Sequence, residues 1–326
     1  MFRKLASTAG IACIASSMLL TSATALAQTL PSKPISLIVP NPPGGVVDTA
    51  ARVIGQPLGQ LLNHTVIVDN RPGGSGNIAY QAVARSAPDG STLLVSYSAY
   101  HTANPSLMKK LPWAPKDFTP VALLVAATNV IAVHPSLPVN TLPELIAYLK
   151  KNPGKVTYAS QGNGSLSHIG TELFKQQTGT DMLHVPYKGS GQAIADVLSG
   201  QVQVFITTPP SVMQHVQTGK LKALAIAGKT RHPMMPTVPT TAEAGLPSFT
   251  LEAWVGLFAP TGTPPALVTK LSNSVKQALE TPEARKQAAA QGVEVRYMNP
   301  AALNTLVNTE LGYWNNVITK ANIQLD

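Results

Sequence analysis

Cysteine is almost missing from this chain of 326 residues: Cys13 is the only one, so no intrachain disulfide can form. Charge is sparse at 12% and aromatic residues make up only 5%. Lys and Arg outnumber Asp and Glu by 24 to 15, yet they never cluster beyond pairs such as Lys109-Lys110 and Lys150-Lys151. A scattered basic excess attracts small anions through the overall field and makes no nucleic-acid stripe. The seven histidines contain no His-x-x-x-His pair, so a metal site is not expected. No G-x-S-x-G elbow is present to carry a hydrolase nucleophile. Gly74-Ser-Gly76-Asn-Ile-Ala79 fits a dinucleotide turn, but the next acid, Asp89, lies in a Pro-Asp-Gly turn and not at a strand end. Gly228-Lys229-Thr230 resembles the end of a P-loop without its first glycine, since Ala223 stands there. No cofactor is expected.

What is present is apolar content of 44% and 28 prolines, enough for sizeable cores in an ordered, two-domain chain. Arg3 and Lys4, an apolar stretch over 5–20 and Ala25-Leu26-Ala27 read as an export signal cleaved before Gln28. That stretch is too short, and too rich in Ser, Thr and Gly, for a membrane anchor. Residues 1–27 are therefore expected to be removed and the mature chain to be periplasmic. Twenty-two basic residues then face fifteen acidic ones, a net +7.

The chain then alternates. Strands are predicted at 35–39, 65–69 and 92–96, with helices opening at Val46 and Asn77. A second block follows, with strands at 130–133, 156–159, 182–185, 202–206 and 221–227. Its helices start at the capping box Thr141–Glu144, after Ser165 and over 193–198. Thr240–Glu243 reads as another box. Thr263-Pro264, Thr281-Pro282 and Asn299-Pro300 read as cap–proline starts of the last helices. Alternation of this kind predicts parallel sheets covered by helices.

Two turns share one pattern. Pro40-Asn-Pro-Pro-Gly-Gly45 follows a strand and opens a helix, and Ser160-Gln-Gly-Asn-Gly-Ser165 does the same in the second block. Helix starts leave unpaired N–H groups and the positive end of the dipole, which suits an anion. Facing each other across two lobes, such turns hold a carboxylate; no set of residues for bond cleavage accompanies them. Ser165 and His168, one helical turn apart, are the remaining nucleophile–base alternative.

Seven segments in order resemble the tripartite tricarboxylate transporter substrate-binding proteins, the Bug family. They are Val39–Asp48, Val68–Asn77, Ala87–Gly90, Gly162–His168, His184–Gly189, Pro239–Pro247, and Trp254 with Ala259–Pro264. The resemblance covers nearly the whole mature chain. It implies a two-lobed type II periplasmic-binding-protein (Venus flytrap) fold of the α/β class, each lobe a mostly parallel sheet flanked by helices. Lobe I would span 28–128 plus 252–326 and lobe II 129–251, with hinges near Ala126–Val130 and Leu251–Val255. By position, the pincers that grip a carboxylate would include Asn41, Pro43, Gly44, Gly45 and Asp48 on one side. Gly162, Asn163, Gly164, Ser165 and His168 would stand opposite, with Tyr187, the segment Ser96–His101 that contains Ser98, and the strand end Thr207-Thr208 lining the same cleft. Family members commonly carry Phe where Asn41 stands and Ser or Thr where Val46 stands, so a different donor set is expected here. The resemblance implies a monomer that passes a small organic acid to membrane transporter subunits, or docks on a signalling partner.

Overall fold

The computed structural model describes residues 30–321 and 323. The export signal predicted for 1–27 lies outside the described residues. Eleven strands form two sheets. The first has the order β11-β4-β10-β3-β1-β2, built from β1 (Ile35–Val39), β2 (Val66–Asn70), β3 (Thr92–Tyr97), β4 (Phe118–Thr128), β10 (Glu252–Pro260) and β11 (Glu294–Met298). The second has the order β7-β6-β8-β5-β9, from β5 (Val130–Val133), β6 (Thr157–Ser160), β7 (Leu183–Pro186), β8 (Val204–Thr207) and β9 (Lys222–Ile226).

The two-lobed α/β architecture stands as the sequence predicted, with one correction: the sheets are mixed, not mostly parallel. β1 runs parallel to β2 and β3, and β6 runs parallel to β7 and β8. β10 is antiparallel to β3 and β4, and β5 is antiparallel to β8 and β9. The antiparallel strands carry the chain between lobes. β4 passes into β5 through Asn129 alone, a buried residue whose N–H and side-chain amide both donate to the Leu251 carbonyl, at 2.9 and 3.0 Å. Leu251 then leads into β10, so both crossings lie side by side.

The sequence reading placed no strand over β4 or β10. The run Val121–Ala127 is buried throughout, and continuous burial erases the alternation that marks a half-exposed strand. β1 shows the same physics, with four of its five residues buried.

The helices are α1 (Val46–Leu62), α2 (Asn77–Ala84), α3 (Ser98–Thr102), α4 (Asn104–Leu107), α5 (Leu142–Lys151), α6 (Leu166–Thr178), α7 (Ser190–Leu198), α8 (Pro209–Gln217), α9 (Pro265–Glu280), α10 (Pro282–Ala290) and α11 (Pro300–Ala321). α1 buries Val46, Ala50, Ile54 and Leu58, the four-residue spacing read from the sequence. Two predicted starts need correction. Thr240 and Glu243 do exchange the reciprocal bonds of a capping box, at 3.1 and 2.7 Å, but they close a turn with no helix after it. The Leu246-Pro247 pair shortly downstream denies that turn room to propagate. α9 starts one residue later than expected, because Thr263 spends its hydroxyl on the Pro260 carbonyl and Pro264 becomes the cap.

Candidate ligand-binding site

The parallel pairs β1/β2 and β6/β7 end at one cavity, and each strand is followed by a glycine-bearing loop and a helix. These four loops enclose a cavity of about 730 Å³ between the lobes. Residues 40–43 and 72–76, with Tyr100, come from the first sheet's side; 161–163 and 186–192 supply the other wall. α7 starts on this wall from Gly189, and α1 and α6 start behind it from Gly45 and Ser165; none of the three gives a side-chain cap. A helix start without such a cap leaves first-turn N–H groups for other acceptors, and the Leu166 N–H of α6 finds one in the Tyr97 hydroxyl.

The lobes touch at the cavity rim. A Cβ on Gly189, whose φ is +136°, would lie 2.7 Å from Pro42 Cγ of the opposite loop, so only glycine permits this approach. The Tyr97 hydroxyl at the end of β3 accepts the Leu166 N–H that begins α6. Within one wall, Gly76 (φ +87°) lies so close to the Tyr100 ring that a Cβ would come within 2.6 Å of it.

The sequence-predicted residues divide into lining groups and braces. Asn41, Pro43, Gly162, Asn163 and Tyr187 line the cavity. Asn41 is buried and its amide reaches the Tyr100 hydroxyl at 3.5 Å. Tyr187 offers its ring, because its hydroxyl donates to Asp196 at 2.7 Å; burial and that carboxylate push the phenol up to about 12. Gly44 and Gly45 form the turn behind the wall, and a Cβ on Gly45 would meet Ser190 Oγ at 3.3 Å.

Asp48 does not line the cavity. It accepts from Gly44 N–H (3.1 Å), Arg52 (3.0 Å) and Asn70 (3.1 Å), and so ties the first loop to α1 and β2. Burial pushes its carboxyl up, but the hydrogen bonds from Arg52, Gly44 and Asn70 outweigh this and leave it below the usual range. Asn70 also donates to the Asn41 carbonyl at 2.9 Å.

In the second lobe Gly164, Ser165, His168 and Thr207 also stand behind the wall. Ser165 Oγ donates to the Gly162 carbonyl at 2.6 Å, while His168 Nδ1 accepts the Gly164 N–H at 3.2 Å. The nucleophile–base bond that a hydrolase would use is replaced by these two loop braces. His168 stacks on His184 at 4.3 Å, and burial, with the positive field of His184 and Lys175, lowers it to about 3. A neutral imidazole of this kind holds a loop. Thr207 Oγ1 accepts from Gln161 at 3.2 Å, and Ser98 is buried near the crossing, where it accepts the Trp254 N–H at 3.4 Å. Among the described residues no group of His, Cys, Asp or Glu could hold a metal.

Sequence reasoning missed the loop 72–76 and the 188–192 segment, whereas Tyr100 falls in the 96–101 segment and Gln161 in the 160–165 turn that it had placed at the cleft. The first of these carried the same strand–glycine–helix signature as the two turns that were chosen. It also lies within Val68–Asn77, one of the segments that carry the family resemblance.

Two α/β lobes whose glycine-rich loops meet around one cavity have the architecture of a solute-binding receptor. The chain belongs to the tripartite tricarboxylate transporter family receptors, whose family model matches residues 50–323. It is 38% identical to protein BugT of Bordetella pertussis over 301 residues, 92% of each chain. Its fold matches R. palustris Rpa4515 with adipate (33% identity, TM-score 0.87, 91% of this chain and 99% of that one). It also matches MatC from Rhodopseudomonas palustris with bound malate (34% identity, TM-score 0.83, 89% and 100%). Receptors of this family are periplasmic, and among the described residues no helix is long and apolar enough to cross a membrane.

Proposed function

We propose that this chain is exported, captures a small carboxylate between its lobes and delivers it to a tripartite tricarboxylate-type membrane transporter. The observation that carries the reading is the meeting of four strand-to-helix loops, two from each lobe, around one cavity whose wall includes Gly191 and Gln192 in the first turn of α7. A carboxylate there would accept N–H groups from both lobes at once, so its binding energy would favour the closed arrangement. The adipate and malate held by the two relatives support a carboxylate ligand. The lobes would divide as 28–128 plus 252–326 and 129–251, and the hinge would be the paired crossing at Asn129 and Leu251.

Calorimetric titration of unfolded-and-refolded, ligand-free protein against a carboxylate panel tests this. Saturable one-to-one binding of at least one carboxylate is expected, and no binding across the panel would overturn it. The mass of the exported chain should correspond to a start at Gln28.

A further inference from the structure

The apolar part of the cavity wall has an unusual composition. Pro40, Pro42, Pro43, Pro72 and Pro186 line it together with Tyr100 and Tyr187, and among the described residues no Leu, Ile, Val, Met, Phe or Trp does. Every apolar surface offered to a ligand is therefore a ring. These rings are also fixed in place. Tyr187 is held by its bond to Asp196, which turns the hydroxyl away and leaves the ring at the cavity. Tyr100 is held edge-on to Tyr97 at 5.2 Å and is backed by Gly76. Pro42 is seated against Gly189. Proline has no rotamer freedom to lose on binding, and a pinned tyrosine has little, so the wall is shaped before the ligand arrives.

A wall fixed in advance favours a rigid ligand, because a flexible chain would lose its own torsional freedom against it. Aromatic faces further favour offset or edge contacts with another π-system over contacts with saturated carbon of equal area. Charge points the same way. Among the described residues Lys188 is the only charged one on the lining and is exposed, so polar recognition would rest on neutral donors, the loop N–H groups and amides such as those of Asn41 and Gln192.

We propose that the ligand is an aromatic carboxylate, its ring held among the proline and tyrosine walls and its carboxylate on the helix starts of α1, α6 and α7. This rests on the receptor reading above and narrows it from carboxylates in general to flat ones.

The test is titration of ligand-free protein with two matched pairs, benzoate against cyclohexanecarboxylate and phenylacetate against cyclohexylacetate, with adipate and citrate alongside. Each pair keeps carbon count and charge and changes only flatness and the π face. In the wild type the aromatic member of at least one pair is expected to bind about tenfold tighter than its saturated partner, and tighter than adipate or citrate. Tyr187→Leu should erase most of that preference and Tyr187→Phe should keep it, with unchanged circular dichroism in both. Equal binding within both pairs, tighter binding of adipate or citrate, or a preference that survives Tyr187→Leu would overturn the proposal while leaving the receptor reading intact. Failure of every carboxylate to bind would overturn both.

Discussion

Helices that start on the outer surface and helices that start at the lobe interface are built differently. α5 begins under Thr141, whose hydroxyl accepts the Glu144 N–H at 3.3 Å, and α10 under Thr281, which accepts from Ala284 at 3.3 Å. Asn299 caps α11 by accepting from Ala302 at 2.9 Å. α1, α6, α7 and α8 start toward the opposite lobe from Gly45, Ser165, Gly189 and Thr208, with no side-chain cap on any. Two of these are residue types that readily cap. Ser165 gives its proton to Gly162 instead, and Thr208 Oγ1 is buried without a partner. α9, capped by Pro264, is the outer exception. A cap contributes about 1 kcal/mol to a helix. The interface starts forgo it; the Leu166 N–H of α6 goes to the Tyr97 hydroxyl of the other lobe instead, and the remaining first-turn donors are those a bound anion would use.

The largest effect should come from closing the gap between the lobes. Gly189→Ala puts a Cβ against Pro42 at a φ that L-residues avoid. A loss of about 2–3 kcal/mol, roughly a hundredfold in Kd, is expected by titration. Next is Gly45→Asp, which turns an interface start into an outer-type one. Gly45 has φ −102° and ψ 175°, open to any residue, so the new carboxylate can cap α1. The melting temperature should hold or rise while carboxylate affinity falls about tenfold, because cap and ligand compete for one set of donors. A gain in affinity would break the comparison.

Away from the cleft, Glu310 of α11 accepts from Thr102 of α3 at 3.3 Å. Burial pushes its carboxyl up to about 7, against the lowering effect of bonds from Trp254, Thr102 and Trp314. Its folded pKa thus exceeds its unfolded one, near 4.3. The stability it contributes is fully present below the unfolded value and is lost as pH rises through about 7. Glu310→Gln should remove that decline between pH 4 and 8, on the order of 1–3 kcal/mol by denaturant titration, without altering ligand affinity. The smallest change is Thr281→Ala. About 1 kcal/mol of stability should go, with Kd unmoved.

The part of this contrast visible in the sequence was the turn. Proline stops a strand, glycine permits the tight reversal, and spaced apolar residues start a helix, all local signals that place Asn41, Gly162 and Asn163 at helix mouths. Local signals cannot say which side of a loop a polar side chain takes. Asp48, Ser165 and His168 are of ligand-binding types, yet each turns back to brace its own loop, because the nearest unsatisfied backbone groups are there. Tyr100 lies 24 residues beyond Gly76 and meets it only once β3 has returned the chain to the cleft. The strands that join the lobes were hidden for the opposite reason. β4 and β10 are so thoroughly buried that their sequences show no face at all.

The most direct test of the shared-donor account is a crystal structure of the protein with the tightest carboxylate from the titration panel. The account predicts a carboxylate in the 730 Å³ cavity with its oxygens on main-chain N–H groups at the starts of α1 and of α6 or α7, directly or through one water. A carboxylate held only by side chains such as Lys188, or by the loops of a single lobe, would contradict it.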